Sequence, residues 1–316
     1  MCWAVIEDYP HTLMDFERRF ATEDACRQYL FQLRWPAGFV CPRCAGTQAW
    51  PMGTGRWLCG GCRYQASVTA GTIFQDSHLP LTTWMRALWY VTTQKSGVSA
   101  LGLQRVLGLG SYKSAWALLH KLRRAMVRPG RERLQGRVEV DETYWGAEET
   151  GVIGRRTETK ALLIVAAEID GAGVGRIRMQ RLAALTRAEA HRFLGAAVEP
   201  GSLVRTDGLN IYDKLPGYVH ERQVQRHQPA GEHLLPRVHR VVSLLKRWLL
   251  GTHQGAIREE HLNYYLDEFT FRFNRRKSAS RGKLFYRLAQ QAVHVEPVPF
   301  VALSKHKMQR LVESST

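Results

Sequence analysis

Apolar residues recur along this chain with two different periods, and the change falls near residue 130. Residues 15–33 (DFERRFATEDACRQYLFQL) have helical spacing and predict a short amphipathic helix, with Thr22 or Asp24 placed to cap its second half. Residues 81–94, 99–107 and 111–127 have the same spacing. The breaks between these three, SGV and GLGS, are short and carry glycine. Two helices across a glycine turn, the second ending in KLRR, predict a helix-turn-helix. Residues 39–69 are rich in Cys, Gly and Trp, with short strand-like runs RWLC and YQAS, and read as a small metal-stapled module.

A basic joint, VRPGRERLQGR, marks a domain boundary. Beyond it RVEVDETYW alternates apolar and polar residues as a half-buried strand does, and ALLIVAAEI is a continuous apolar run that suits an interior strand. RIRMQRL, SLVRTDG and YVHERQVQ read as further strands. TRAEAHRFLGAAV reads as a helix capped at Thr186 with Glu189 three residues on. From Leu235 the pattern is helical, through VHRVVSLLKRWLL and REEHLNYYLDEFTFRFNRR. Strands first, one helix among them and a helical end predict a mixed sheet covered by helices.

The charge narrows the class of partner. Lys and Arg number 45 against 28 Asp and Glu, a formal net charge of +17, which favours a polyanion, nucleic acid first. Hydrophobic residues make up 45%, enough to fold, and 316 residues give room for two or three modules. No stretch is long or apolar enough to span a membrane, and MCWAVIEDYP lacks the basic start of a signal peptide. Six cysteines in a chain this long do not suggest a disulfide scaffold, so the expected setting is the cytosol, beside the nucleoid.

Four of those cysteines form two knuckles, Cys41-Pro-Arg-Cys44 and Cys59-Gly-Gly-Cys62, about 14 residues apart. Each knuckle lets two thiolates meet one ion, and four thiolates fill a tetrahedral Zn²⁺, which makes the site structural. A redox dithiol pair is the other reading, but no thioredoxin-like context accompanies it. The neighbouring Arg43, Trp50, Arg56, Trp57, Arg63 and Tyr64 can grip DNA backbone or form the module's own small core; for the tryptophans the core reading is preferred.

Two aspartates stand out by position: Asp141 within RVEVDETYW and Asp207 at the end of SLVRTDG. Carboxylates on strands of one sheet can converge on divalent metal and serve phosphoryl transfer, although many strands simply end in Asp-Gly turns. The surrounding words decide. VEVDETYWG, RTDGLNIYDKL, HRVVSLLKRWLLGTHQG, HLNYYLDEFTFRFNRR and the leading CPRC…CGGCRYQASVTAGTIFQDSHLPLTTW resemble the ISXO-like insertion-sequence transposases over roughly residues 15–290.

That resemblance implies an RNase H-like catalytic domain of the DDE superfamily, with Mg²⁺ or Mn²⁺ as cofactor. It also implies cleavage of transposon ends by water and attack of the freed 3′-OH on target DNA. The implied layout is a ribbon with its preceding helix over 15–69, a helix-turn-helix region over 75–128, the catalytic domain over 133–279, and a C-terminal helix and tail over 280–316. Asp141 and Asp207 become the first two metal ligands. The third position lies seven residues before the lysine of SLLKR; that lysine is Lys246, and the position holds His239. Pro236 suits the first turn of a helix bearing both. Glu142, Glu232 and Glu268 are rival acids: Glu142 alternates away from Asp141 on its strand, and Glu268 sits among aromatics as a structural group. The expected DNA contacts are Lys113, His120, Lys121, Arg123 and Arg124 for transposon ends and Lys246 and Arg247 near the chemistry, with a homo-oligomer assembled on double-stranded DNA. The competing readings are a relative that binds DNA without catalysis, since His replaces the usual third acid, and a zinc-ribbon regulator with an unrelated ligand domain.

Overall fold

The structure is a computed structural model that describes residues 7–128, 130–146, 160–224 and 234–304. It divides into two compact units. One joins the described residues up to Arg128 to those from Lys277 onward; the other runs from 130 to Arg276.

The first unit begins with two helices where one was expected, α1 (Leu13–Arg19) and α2 (Glu23–Arg34). The break follows from capping: the Thr22 hydroxyl accepts from the Ala25 N–H, so a new helix starts there instead of the first continuing. Next come β1 (Ala49–Pro51), β2 (Trp57–Cys59) and β3 (Gln65–Ala66), a small antiparallel sheet. Helices α3 (Leu81–Thr93), α4 (Ala100–Leu107) and α5 (Tyr112–Ala125) match the predicted spans. Ser99 caps α4, Ser111 caps α5, and Gly108 closes α4 at φ 62°, a left-handed conformation that glycine adopts without strain.

The second unit carries β4 (Arg137–Trp145), β5 (Ala161–Asp170), β6 (Gly173–Leu182), α6 (Arg187–Ala197), β7 (Leu203–Thr206), β8 (Val219–Arg222), α7 (Pro236–His253) and α8 (Leu262–Asn274). The sheet order is β6-β5-β4-β7-β8; β5 runs antiparallel to both β4 and β6, while β7 is parallel to both β4 and β8. This is the mixed sheet flanked by helices that the sequence predicts. Its two faces bury separate cores. Leu163, Val165 and Ala167 of β5 pack with Val238, Val241, Leu245 and Leu249 of α7 and with α8. Ile164 and Ala166, one residue out of step, pack with Val138 and Val140 of β4 and with α6. Thr186 caps α6 and Pro236 opens α7, as expected.

The chain then returns to the first unit with α9 (Arg281–Ala292) and a short α10 (Phe300–Ser304). The C-terminal region is therefore no separate appendage in its described part. Phe285 of α9 is fully buried, with ring centroids of Phe16, Phe20, Tyr29 and Trp89 at 5.4–6.0 Å. Gly282 passes so close to the Pro10 carbonyl that a Cβ there would collide with it. Phe285→Ala is expected to destabilise the first unit by about 3–5 kcal/mol, because the cavity would open among aromatics that cannot collapse into it. Urea unfolding followed by tryptophan fluorescence measures this, and an unchanged midpoint would remove α9 from the core.

Candidate active site

Strand β4 sets the geometry. Val138 and Val140 point into the core beneath α6, so Glu139 and Asp141 point to the α7 side. Asp207 follows the last residue of β7 and turns the chain, its Oδ1 accepting from the Leu209 N–H at 3.0 Å. One carboxylate oxygen from each of Asp141, Glu142 and Asp207 lies within 4.8 Å of the others.

The inclusion of Glu142 departs from the sequence expectation. Its side chain does leave the strand on the opposite side from Asp141, where the Tyr212 hydroxyl donates to Oε2 at 3.0 Å. It still reaches the aspartates, because β7 pairs with β4 only as far as Glu139 opposite Arg205 and leaves the next stretch of that flank uncovered. Tyr212 is buried, and burial together with the nearby Glu142, Asp141 and Asp207 carboxylates holds its hydroxyl protonated, well above the ordinary phenol value. It is therefore a fixed donor to Glu142.

His239 stands in the first turn of α7. Its Nε2 is 3.0 Å from Asp141 Oδ2, and the ring is half exposed. The hydrogen bond to Asp141 raises its pKa above the ordinary 6.5, against the opposing effect of burial. His239 thus meets the carboxylate group through Asp141. From His239 an exposed stripe runs along α7 through Ser243, Arg247 and Leu250, with Lys246 half-buried at its edge. Of the rival acids, Glu268 is fully buried and paired with Arg272 at 2.8 Å, a structural group as expected; Glu232 lies outside the described residues.

In the first unit the four cysteines come together. Sγ atoms of Cys41 and Cys62 are 3.6 Å apart, as are those of Cys44 and Cys59, and all four lie within 4.8 Å of one another. Tetrahedral zinc with bonds near 2.3 Å sets sulfurs about 3.8 Å apart, so the cradle fits that ion. Backbone N–H groups of Cys62 and Gly61 bring the Cys59 thiol down to about 6, while, against the Gly46 N–H, hydrogen bonds from the other sulfurs push Cys44 up to about 12, so an ion would take the place of that proton. Trp57 is buried and stacks on Phe31 at 4.6 Å, the core role preferred for it. Trp50 departs from that role: it is 53% exposed and lies over Gly60 of the second knuckle.

The cations of α5 divide. Lys113 stands exposed in the first turn beside Tyr112 and Ser114. Lys121 is half-buried 6.0 Å from the Trp84 ring, its pKa lowered by burial, and Arg124 is half-buried too. Arg123 is 2% exposed and His120 fully buried, 3.4 Å apart. Neither reaches solvent, so both leave the set of expected DNA contacts. Leu119, Leu122 and Met126 repeat at helical spacing on the inward side of α5, and Arg123 falls among them. Arg105 and Val106 of α4 are exposed and were not singled out by the sequence.

Fold and site together define a four-cysteine ribbon unit joined to a mixed α/β domain with clustered carboxylates on neighbouring strands. Residues 133–274 match the ISXO2-like transposase domain, and residues 21–65 match the transposase zinc-ribbon domain. The chain is thus similar to insertion-sequence transposases in both its ribbon and its mixed α/β domain. It is similar, at 27% identity over 280 residues, to "Uncharacterized protein in transposable element ISH50" from Halobacterium salinarum; the match covers 81% of this chain and 92% of that protein. Both domain types imply DNA as the partner. Among the described residues no helix is long and apolar enough to cross a membrane.

Proposed function

We propose that this protein is the transposase of an insertion sequence, which binds the terminal inverted repeats of its element and catalyses divalent-metal-dependent DNA cleavage and strand transfer. The observation that carries this reading is the convergence of Asp141 and Asp207 from adjacent strands, with Glu142 and His239 beside them. Oxygens that close fit one hard cation. Asp141 and Asp207 would hold Mg²⁺ or Mn²⁺, with His239 or Glu142 completing the set. A divalent ion there supplies Lewis-acid stabilisation of charge on the phosphate and an activated nucleophile. Lys246 and Arg247 would bind DNA phosphate along the stripe that begins at His239; the exposure of Arg247 supports this. The four cysteines would hold one structural Zn²⁺. An element has two ends, which argues for a homo-oligomer assembled on DNA.

The test of catalysis is incubation of the full chain with duplexes ending in the element's terminal repeat. Nicking at the repeat boundary with Mg²⁺ or Mn²⁺, and none without added divalent ion, is expected; equal nicking of random duplexes would defeat the reading. End binding makes its own prediction. Lys113, Lys121 and Arg124 contact backbone phosphate, so Lys113→Ala should weaken binding to every sequence and lower the slope of log affinity against log salt by about 1. Arg123→Ala should instead lower thermal stability, through loss of a buried charged group's partners, and leave the salt slope unchanged.

A further inference from the structure

The helix that bears His239 has no cap of its own. Leu235 occupies its N-cap position with no side-chain hydrogen bond, and Pro236 at the first helical position has no N–H. Two first-turn donors remain, those of Arg237, which is part-buried, and Val238, which is buried. Both bonds go to Glu139 of β4: the Arg237 N–H donates to Oε2 at 2.7 Å and the Val238 N–H to the same oxygen at 3.0 Å. The next N–H, of His239, already closes on Leu235 at 3.1 Å. Every donor of the first turn is therefore accounted for, and a single carboxylate from another element holds two of them. The second oxygen of Glu139 is 3.7 Å from the Arg237 guanidinium.

Glu139 is fully buried, and a buried carboxyl is costly unless its oxygens are hydrogen-bonded. Here one oxygen accepts both N–H groups at the start of α7, a role that needs an acceptor oxygen at that position. It also stands two residues before Asp141 on the same face of β4. The two carboxylates form a pair of anchors with one repeat distance: Glu139 takes the backbone at 237 and 238, and Asp141 takes the ring of the next residue. Apolar packing of Val238, Val241, Leu245 and Leu249 presses α7 onto the sheet, but such packing tolerates sliding and rotation far better than two directed hydrogen bonds do. The geometry points to Glu139 as a positioning residue. It fixes the register and rotation of α7 on β4 so that His239 lands on Asp141. The inference bears on catalysis through the reading of His239 as part of the metal site.

The test uses the full chain with its zinc bound and no other divalent ion added, labelled with ¹⁵N-histidine. The Nε2 resonance of His239, assigned by its loss in His239→Asn, reports the bond to Asp141 and shifts in Asp141→Asn. Glu139→Ala is expected to shift it in the same way. Glu139→Gln, whose amide oxygen still accepts both N–H groups, is expected to leave it near the wild-type position. Strand transfer should fall about tenfold to a hundredfold in the alanine variant and recover in the glutamine variant, as for a misplacement of about 1 Å. A merely structural role would lower the melting temperature and leave the ring resonance in place. A folded Glu139→Ala protein with an unmoved resonance overturns the proposal. If the alanine variant does not fold, Glu139→Asp decides: it keeps the charge on an arm shorter by one methylene, and an unmoved resonance there overturns the proposal equally. A shifted resonance with undiminished strand transfer would uphold the positioning role and instead remove His239 from the catalytic set.

Discussion

Asp141→Ala and Asp207→Ala are each expected to reduce strand transfer by about a thousandfold or more, roughly 4 kcal/mol of transition-state stabilisation. On the proposed reading each removes a ligand from a cation held by few groups, and water could not make good the loss without weakening the ion's hold on the phosphate. Both variants should fold, since Asp141 is part-exposed and Asp207 lies past the end of its strand. His239→Ala and Glu142→Gln separate the two candidates for the remaining ligand. If His239 binds the ion, its loss should depress Mn²⁺-supported joining more than Mg²⁺-supported joining, because Mn²⁺ accepts nitrogen and Mg²⁺ prefers oxygen. If Glu142 binds it, Glu142→Gln should depress both.

The pH profile adds an independent handle. If His239 holds the ion, its proton competes with metal, and the bond to Asp141 raises its pKa above 6.5. Activity should therefore fall on acidification starting above pH 6.5, and this limb should vanish in His239→Ala. Stability without added divalent ion runs the other way: the charged pair contributes fully below the unfolded histidine value and is lost as pH rises through the raised folded value. Wild-type joining rates in His239→Ala with both metals would remove it from the site.

Zinc removal should have the second largest effect. Structural Zn²⁺ in small modules binds with about 10–16 kcal/mol, as much as or more than a typical domain's whole stability, so the ribbon has no folded state to fall back on without it. Chelation, or Cys59→Ser, should open residues 39–69 to proteolysis. The loss should spread to α2, because Trp57 stacks on Phe31 and Trp35 packs against both Trp57 and Phe39. The unit built on β4–β8 should stay protected in hydrogen exchange, since its cores share no residue with the ribbon. Protein purified without chelator and found free of zinc would contradict this, as would chelated protein with an unaltered digestion pattern.

Local signals were the legible ones. Alternation in RVEVDETYW gave β4 and its faces; hydroxyl caps gave the starts of α2 and α6; and Pro236 gave the start of α7, whereas His239 came only from the resemblance to the family. What stayed hidden depends on partners distant in sequence. Arg123 reads as a solvated cation in KLRR until α5 is packed with that side inward. α9 reads as an appendage until Phe285 is set among aromatics more than 190 residues away in the chain. Glu142 reads as facing away until it is seen that β7 stops short beside it. Glu139 carries no signal in a strand pattern at all, because its role exists only once α7 arrives.

The measurement that bears most directly on the account is a joining assay: full-length protein, a duplex whose processed strand ends at the element's own terminal repeat, a supercoiled target plasmid, and Mg²⁺ or Mn²⁺. The account predicts covalent joining of the 3′ end to the plasmid that requires the added ion and the terminal repeat and is lost in Asp207→Ala. Tight binding to the repeat with no joined product in either metal, from protein with its zinc in place, would contradict it and leave a DNA-binding protein without the chemistry.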